Sequence, residues 1–103
     1  MIRIGIDAMG GDFAPNNVIL GVIEALSYIG TNTKIFLIGD EKKITEVCQH
    51  YGVDSGNFVI VHAPETIEMG EHPVRAFLRK KKSSLVVGFN MLAGGEIDVL
   101  ASA

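Results

Sequence analysis

Apolar and polar positions follow two rhythms along this chain, and the switches between them predict its elements. Ile2 to Ile6 is a short β-branched run of strand length, ended by Gly10-Gly11. From Pro15 to Ile29 the apolar residues Val18, Ile19, Val22, Ile23, Leu26 and Ile29 recur at helical spacing. Pro15 suits the first turn of that helix, and Gly30 suits a left-handed position after its last. Lys34 to Ile38 is a second apolar run, closed by Gly39-Asp40. Asp40 is a natural N-cap for a helix that carries Ile44, Val47, Cys48 and Tyr51 on one face and ends at Gly52. Phe58 to Val61 reads as a third strand, and His62 to His72 as a loop with Pro64 and Gly70. Pro73 opens a short helix through about Lys81. Ser83 or Ser84 caps another that runs to Gly94-Gly95, and Ile97 to Ala101 is a fourth strand.

This order predicts an α/β fold: a Rossmann-like three-layer α/β/α arrangement with a mainly parallel sheet. The strands are continuous apolar runs, as expected when helices cover both sheet faces. Residues 1–103 read as one unit with no internal boundary, repeat or linker. In open α/β sheets the chemistry lies outside the carboxyl ends of the strands. The chain stops at Ser102-Ala103, at such an end, so truncation after the fourth strand is expected.

Composition narrows the classes. Hydrophobic residues make up 48% and charged residues 20%, the balance of an ordinary globular interior and surface. No apolar run approaches the ~18 residues of a membrane span, and Met1 to Asp7 lacks the form of a signal peptide. A formal net charge of −3 speaks against general nucleic-acid binding. Cys48, the single cysteine, has no internal partner, which points to a reducing cytoplasm. Its place on an apolar helix face marks it as a core residue.

Three segments carry candidate chemistry. In Asp7-Ala8-Met9-Gly10-Gly11-Asp12 the two glycines let the backbone approach a ligand, and the N-terminus of the following helix would favour an anion there. The plainer reading is a tight strand-to-helix turn with acidic caps, and both stay open. The segment is neither a dinucleotide fingerprint nor a phosphate loop. Asp7 and Asp12 do not suit a site that simply embraces phosphate; they suit orientation of a neighbour or of a polar group. Arg79-Lys80-Lys81-Lys82, just before Ser83-Ser84, could hold a phosphate or an acidic protein face, or be a solvated helix end offsetting its dipole. Ser83 and Ser84 suit capping better than nucleophilic attack, since no local His–acid pair would activate them. His62, Glu65, Glu68, Glu71 and His72 share a loop but match no metal-ligand spacing, so no metal is expected.

Four segments together resemble the acyl-carrier-protein-dependent phosphate acyltransferases known as PlsX. They are Ile4-Gly5-Ile6-Asp7-Ala8-Met9-Gly10-Gly11-Asp12; Leu37-Ile38-Gly39-Asp40; Val61-His62-Ala63-Pro64-Glu65 with Glu71-His72-Pro73-Val74-Arg75-Ala76; and Lys80-Lys81-Lys82-Ser83-Ser84-Leu85-Val86-Val87-Gly88. The resemblance covers essentially the whole chain. It implies transfer of a long-chain acyl group from acyl carrier protein to inorganic phosphate, giving acyl phosphate for phospholipid synthesis, with no cofactor. It further implies a cytoplasmic homodimer that associates peripherally with the inner membrane surface through regions outside this chain. Members are roughly three times longer, a size of more than one compact unit. They continue after the fourth strand with Ser-Ala-Gly-Asn-Thr-Gly-Ala, of which Ser102-Ala103 would be the start, so this piece alone is expected to be inactive. Asp7, Gly10, Gly11, Asp12, Ser83, Ser84 and Ser102 are the expected substrate-binding residues, with catalytic residues falling beyond Ala103 and basic phosphate ligands in the later part. The competing expectations are a nucleotide- or coenzyme A-binding module, recognisable by stabilisation with nucleotide, and a non-catalytic domain that self-associates through an exposed sheet edge.

Overall fold

The computed structural model describes residues 1–11, 13–68 and 70–102. The elements run β1 (Ile2–Asp7), α1 (Asn16–Leu26), β2 (Thr33–Gly39), α2 (Glu41–His50), β3 (Val59–His62), α3 (Pro73–Arg79), α4 (Ser84–Ala93) and β4 (Val99–Ala101), with a single 3₁₀ turn at Ser55–Asn57. This is the α/β fold that the alternating rhythms predict. All described strand pairs are parallel, in the order β3-β2-β1-β4.

The alternation along β2 shows why its sequence is apolar throughout. Ile35 and Leu37 face one layer, where they pack with Ile19 and Val22 of α1 and Ile44 and Cys48 of α2. Phe36 and Ile38 face the opposite layer, with Ala63, Ile97, and Val87 and Met91 of α4. Both faces are covered, so neither can carry polar residues. Burial also pushes the Cys48 thiol up from its ordinary pKa, consistent with a packed, protonated side chain. Gly88 matters on the α4 side. A β-carbon there would lie 2.7 Å from Cδ1 of Leu100, so its absence lets helix and strand come together.

The ends of the elements differ from the sequence reading, and side chains explain it. The first helix stops at Leu26, short of Ile29: Ser27 Oγ donates to the Glu24 carbonyl, and the chain tightens through Tyr28 N–H to the Ala25 carbonyl. Ile29 still packs on the core from that turn, so the apolar spacing outlasts the helix. Gly30 does not take the left-handed conformation; Gly11, Gly52, Gly70 and Gly95 do. The fourth strand begins at Val99, two residues after Ile97. Asp98 accepts the Arg3 N–H through its carboxylate, so regular pairing starts only with Ile4 opposite Val99. The third helix ends at Arg79 with Lys80 as its C-cap, before Lys81. Asp40 and Ser83 cap α2 and α4 as the sequence suggests, accepting from Lys43 and Val86 N–H.

From β1 the chain builds outward through β2 to β3, then returns to place β4 on the other side of β1. The carboxyl ends of β1 and β4 therefore form a topological switch point, where α/β sheets place their ligands.

Leu37 has no exposed surface, whereas Tyr28 is 86% exposed. Urea titration should show Leu37→Ala losing about 3 kcal/mol of stability and Tyr28→Ala changing it by less than about 0.5 kcal/mol.

Candidate functional site

Asp7 is the last residue of β1 and is buried, and its carboxylate joins three separate parts of the chain. Oδ1 accepts from the Met9 N–H at 3.0 Å and from Ser84 Oγ at 2.5 Å, while Oδ2 accepts from Ser102 Oγ at 2.8 Å. A carboxylate buried in this way must spend its acceptor capacity on donors, and here two of the three are serine hydroxyls. Ser84 stands at the first position of α4, so Asp7 also meets the positive end of that helix.

Around this junction lies a cleft of about 400 Å³. Its floor is Asp7, Met9, Gly10, Gly11, Ser84, Leu85 and Ser102; its far wall is Thr66, Ile67, Glu68, Gly70, Glu71 and Pro73. The wall comes from the loop after β3, whose His and Glu residues the sequence offers as metal-ligand candidates that fit no ligand spacing. Two fasteners hold it. Glu65 exchanges backbone bonds with Lys82 and Ser84, and its side chain accepts the Lys82 N–H. Lys80 Nζ donates to the Thr66 carbonyl at 2.7 Å and to Glu71 Oε2 at 2.8 Å. The Lys80 ammonium, together with the Glu68 N–H, holds the Glu71 carboxyl below the usual glutamate range.

The expected site residues fall into three groups. Asp7, Gly10, Gly11, Ser84 and Ser102 converge on the cleft. Ser83 is fully buried beside it, its oxygen accepting the Val86 N–H, and it does not line the cleft. Asp12, like Ala103, lies outside the described residues. The helix start at the cleft belongs to α4; α1, expected there from its place after the glycines, begins at Asn16 and contributes no lining residue among those described. Two of the loop amides do not open into the cleft, because the Met9 and Gly10 N–H groups turn onto the side chain and carbonyl of Asp7.

The other candidates have structural partners. Lys80 is committed to the wall loop, and no Lys or Arg lines the cleft among the described residues. His62 Nδ1 accepts the Glu41 N–H, and His72 caps α3 by accepting the Arg75 N–H. Among the described residues, no group of three or more His, Cys, Asp or Glu is placed to hold a metal. No described helix is long and apolar enough to cross a membrane. Thr66, Ile67, Glu68 and Leu85 are lining residues that sequence reasoning missed. The available signal was the pairing of Lys80 with Glu71, which sequence separation hides.

The sequence pattern of the family described as "Fatty acid synthesis protein" matches residues 2–103. The chain belongs to this family. It is 43% identical over its whole length to a phosphate acyltransferase of Desulforamulus reducens and 43% identical to one of Chlorobaculum parvum, covering 30% of each. A phosphate acyltransferase of Dictyoglomus turgidum is 38% identical over 99% of the chain, again with 30% of that protein covered. The chain thus spans about 30% of the length of these curated relatives.

Two outcomes test the geometry. In a double-mutant cycle, Asp7→Asn and Ser84→Ala should couple by about 1–2 kcal/mol in unfolding free energy, whereas additive losses would deny the bond. The wall loop should respond to pH. Because the folded Glu71 pKa is depressed, its tie to Lys80 is complete above the ordinary glutamate pKa and is lost as pH falls through the lower folded value. Protection factors of the Glu65–Glu68 and Gly70–Glu71 amides, taken relative to intrinsic exchange at each pH, should therefore fall at acid pH, and at neutral pH in Lys80→Met.

Proposed function

We propose that this chain is the switch-point region of an acyltransferase that moves a long-chain acyl group from acyl carrier protein to inorganic phosphate. The observation that carries the reading is the 43% identity, across the whole chain, to proteins named phosphate acyltransferase. The cleft is compatible with that chemistry. It lies at the strand ends where α/β folds place ligands, and its serines are set in fixed orientation by a buried carboxylate.

In the proposed reaction an oxygen of phosphate attacks the thioester carbonyl. A C–O bond forms, the C–S bond breaks, and the carrier thiol leaves with the proton given up by phosphate. Such a step needs no covalent enzyme intermediate. It needs the two reactants held in line and the developing oxyanion met by fixed donors. Asp7, Gly10, Gly11, Ser84 and Ser102 are the proposed substrate-binding residues of this chain, with Asp12 beside them in sequence. Ser83 would act through the helix cap. Cationic groups for phosphate, and the groups that complete the oxyanion site, would come from outside the described cleft, so residues 1–103 alone would not turn over. The same resemblance supports a cytoplasmic homodimer with peripheral membrane contact through other regions. A nucleotide-binding module is less well supported, because the Met9 and Gly10 amides that would cradle a diphosphate are already bonded to Asp7.

Acyl-phosphate formation from acyl carrier protein thioester and phosphate tests this. The protein at the full length of its relatives should form it, residues 1–103 should not, and Asp7→Asn should lower kcat/KM about 100-fold by misplacing the two serines. A full-length protein that makes no acyl phosphate would sink the reading.

A further inference from the structure

The floor and the far wall of the cleft are held by different means. The floor stands on the ends of β1, β4 and α4, joined at Asp7. The wall is irregular chain that leaves Glu65, itself bonded to Lys82 and Ser84. Beyond Glu65, among the described residues, the hydrogen bonds of Thr66, Glu68 and Glu71 run only to one another and to Lys80. The Lys80 ammonium donates to the Thr66 carbonyl at one end of this stretch and to Glu71 Oε2 at the other, so a single side chain spans it. Glu71 Oε2 also accepts the Glu68 N–H, which brings the middle of the wall onto the same fastener.

Lys80 is in turn anchored to the floor. Its N–H closes α3 on the Ala76 carbonyl at 2.8 Å, and its carbonyl accepts the Ser83 N–H at 3.0 Å. Ser83 caps α4, and the next residue, Ser84, is bonded to Asp7. A short path of bonds thus runs from the Asp7 junction through Ser83 and Lys80 to both ends of the wall. Lys80 does not line the cleft. It lines a separate groove of about 250 Å³ with His72, Arg75 and Arg79, and Glu71 is the partition that borders both spaces.

We propose that Lys80 is a positioning residue of this site: it holds Thr66 and Glu71 in register with the floor at Ser84, and it makes no contact with substrate itself. The inference rests on the acyltransferase reading for the reaction concerned. Groups held between a floor and a wall lose rate steeply when one of them drifts, by about 100-fold for a misplacement near 1 Å. The ion pair, by contrast, adds little to global stability, because its side chains are 29% and 32% exposed and solvent screens them. The clasp therefore matters more to turnover than to folding. This separates it from a helix-end cation, whose loss touches neither, and from an anion ligand, whose loss weakens binding.

Steady-state kinetics on the full-length protein, expressed per folded molecule, decide between these with Lys80→Met, Lys80→Arg and the control Lys81→Met. Lys80→Met should lower kcat about 30-fold and leave KM for the acyl donor and for phosphate within about threefold. Its Tm should fall by less than about 3 °C. Lys80→Arg, which keeps a charged donor, should regain at least about a third of the wild-type kcat. Lys81 is exposed, and Lys81→Met should stay within about twofold of wild type. An unchanged kcat, a loss confined to either KM, an equal loss in Lys81→Met, or no recovery with arginine overturns the proposal. Should the wild-type protein form no acyl phosphate, the acyltransferase reading falls, and crystal structures of wild type and Lys80→Met still decide the positioning role. Thr66 and Glu71 displaced by about 1 Å or more relative to Ser84 support it; an unmoved wall ends it.

Discussion

The Asp7 carboxylate is the constraint on which this structure turns. It sits at the end of the central strand and is bonded to the first residue of α4 and to the residue following β4. Those bonds tie the two elements that pass on the far side of β1 to the strand itself. Without them, α4 would be held by the Ser84 N–H bond to the Glu65 carbonyl and by apolar contacts with the sheet, which fix distance well and rotation poorly. A buried carboxylate with three directed donors fixes both. The junction costs desolvation of a charge, and the serine hydroxyls and the Met9 amide offset that cost.

A second layer of order follows from this one. Ser83 caps α4 and Ser84 is held by Asp7, so the helix start is a rigid platform. The loop after β3 is laid against that platform by Glu65 and clasped by Lys80. Lys80, part of what looks like a ligand-binding patch in sequence, thus serves as a fastener for the wall of a cleft. The electrostatic character of the site is opposite in sign to that of the Arg79–Lys82 run beside it.

The sequence was most legible where one physical rule dominates. Apolar spacing locates β1, β2, α2 and α4, because burial on both faces of a parallel sheet leaves little freedom at Ile35, Phe36, Leu37 and Ile38. Local capping chemistry finds Asp40 and Ser83. Legibility failed where a side chain replaced a backbone partner, as with Asp98 taking the Arg3 amide and delaying β4. It failed again where partners are far apart in the chain. Asp7 could be read as an orienting acid next to glycines, but Ser84 lies 77 residues away and Ser102 lies 95 away. Nothing local announces those meetings. The wall loop was missed for a related reason: it carries no periodicity, and what clasps Thr66 and Glu71 is a lysine that the sequence leaves open as an anion ligand or a solvated helix end.

The pairing of β1 with β4 also sets a timetable. The β1 strand waits for nearly the last described residues before its second edge is covered and its terminal carboxylate finds both serines. Contacts of such long range form late and slowly, since the intervening chain must be closed before they repay its entropy. Until then Asp7 must remain solvated at the end of an open strand edge. Among the described elements the cleft is therefore assembled last, since its floor is not closed until β4 lies beside β1.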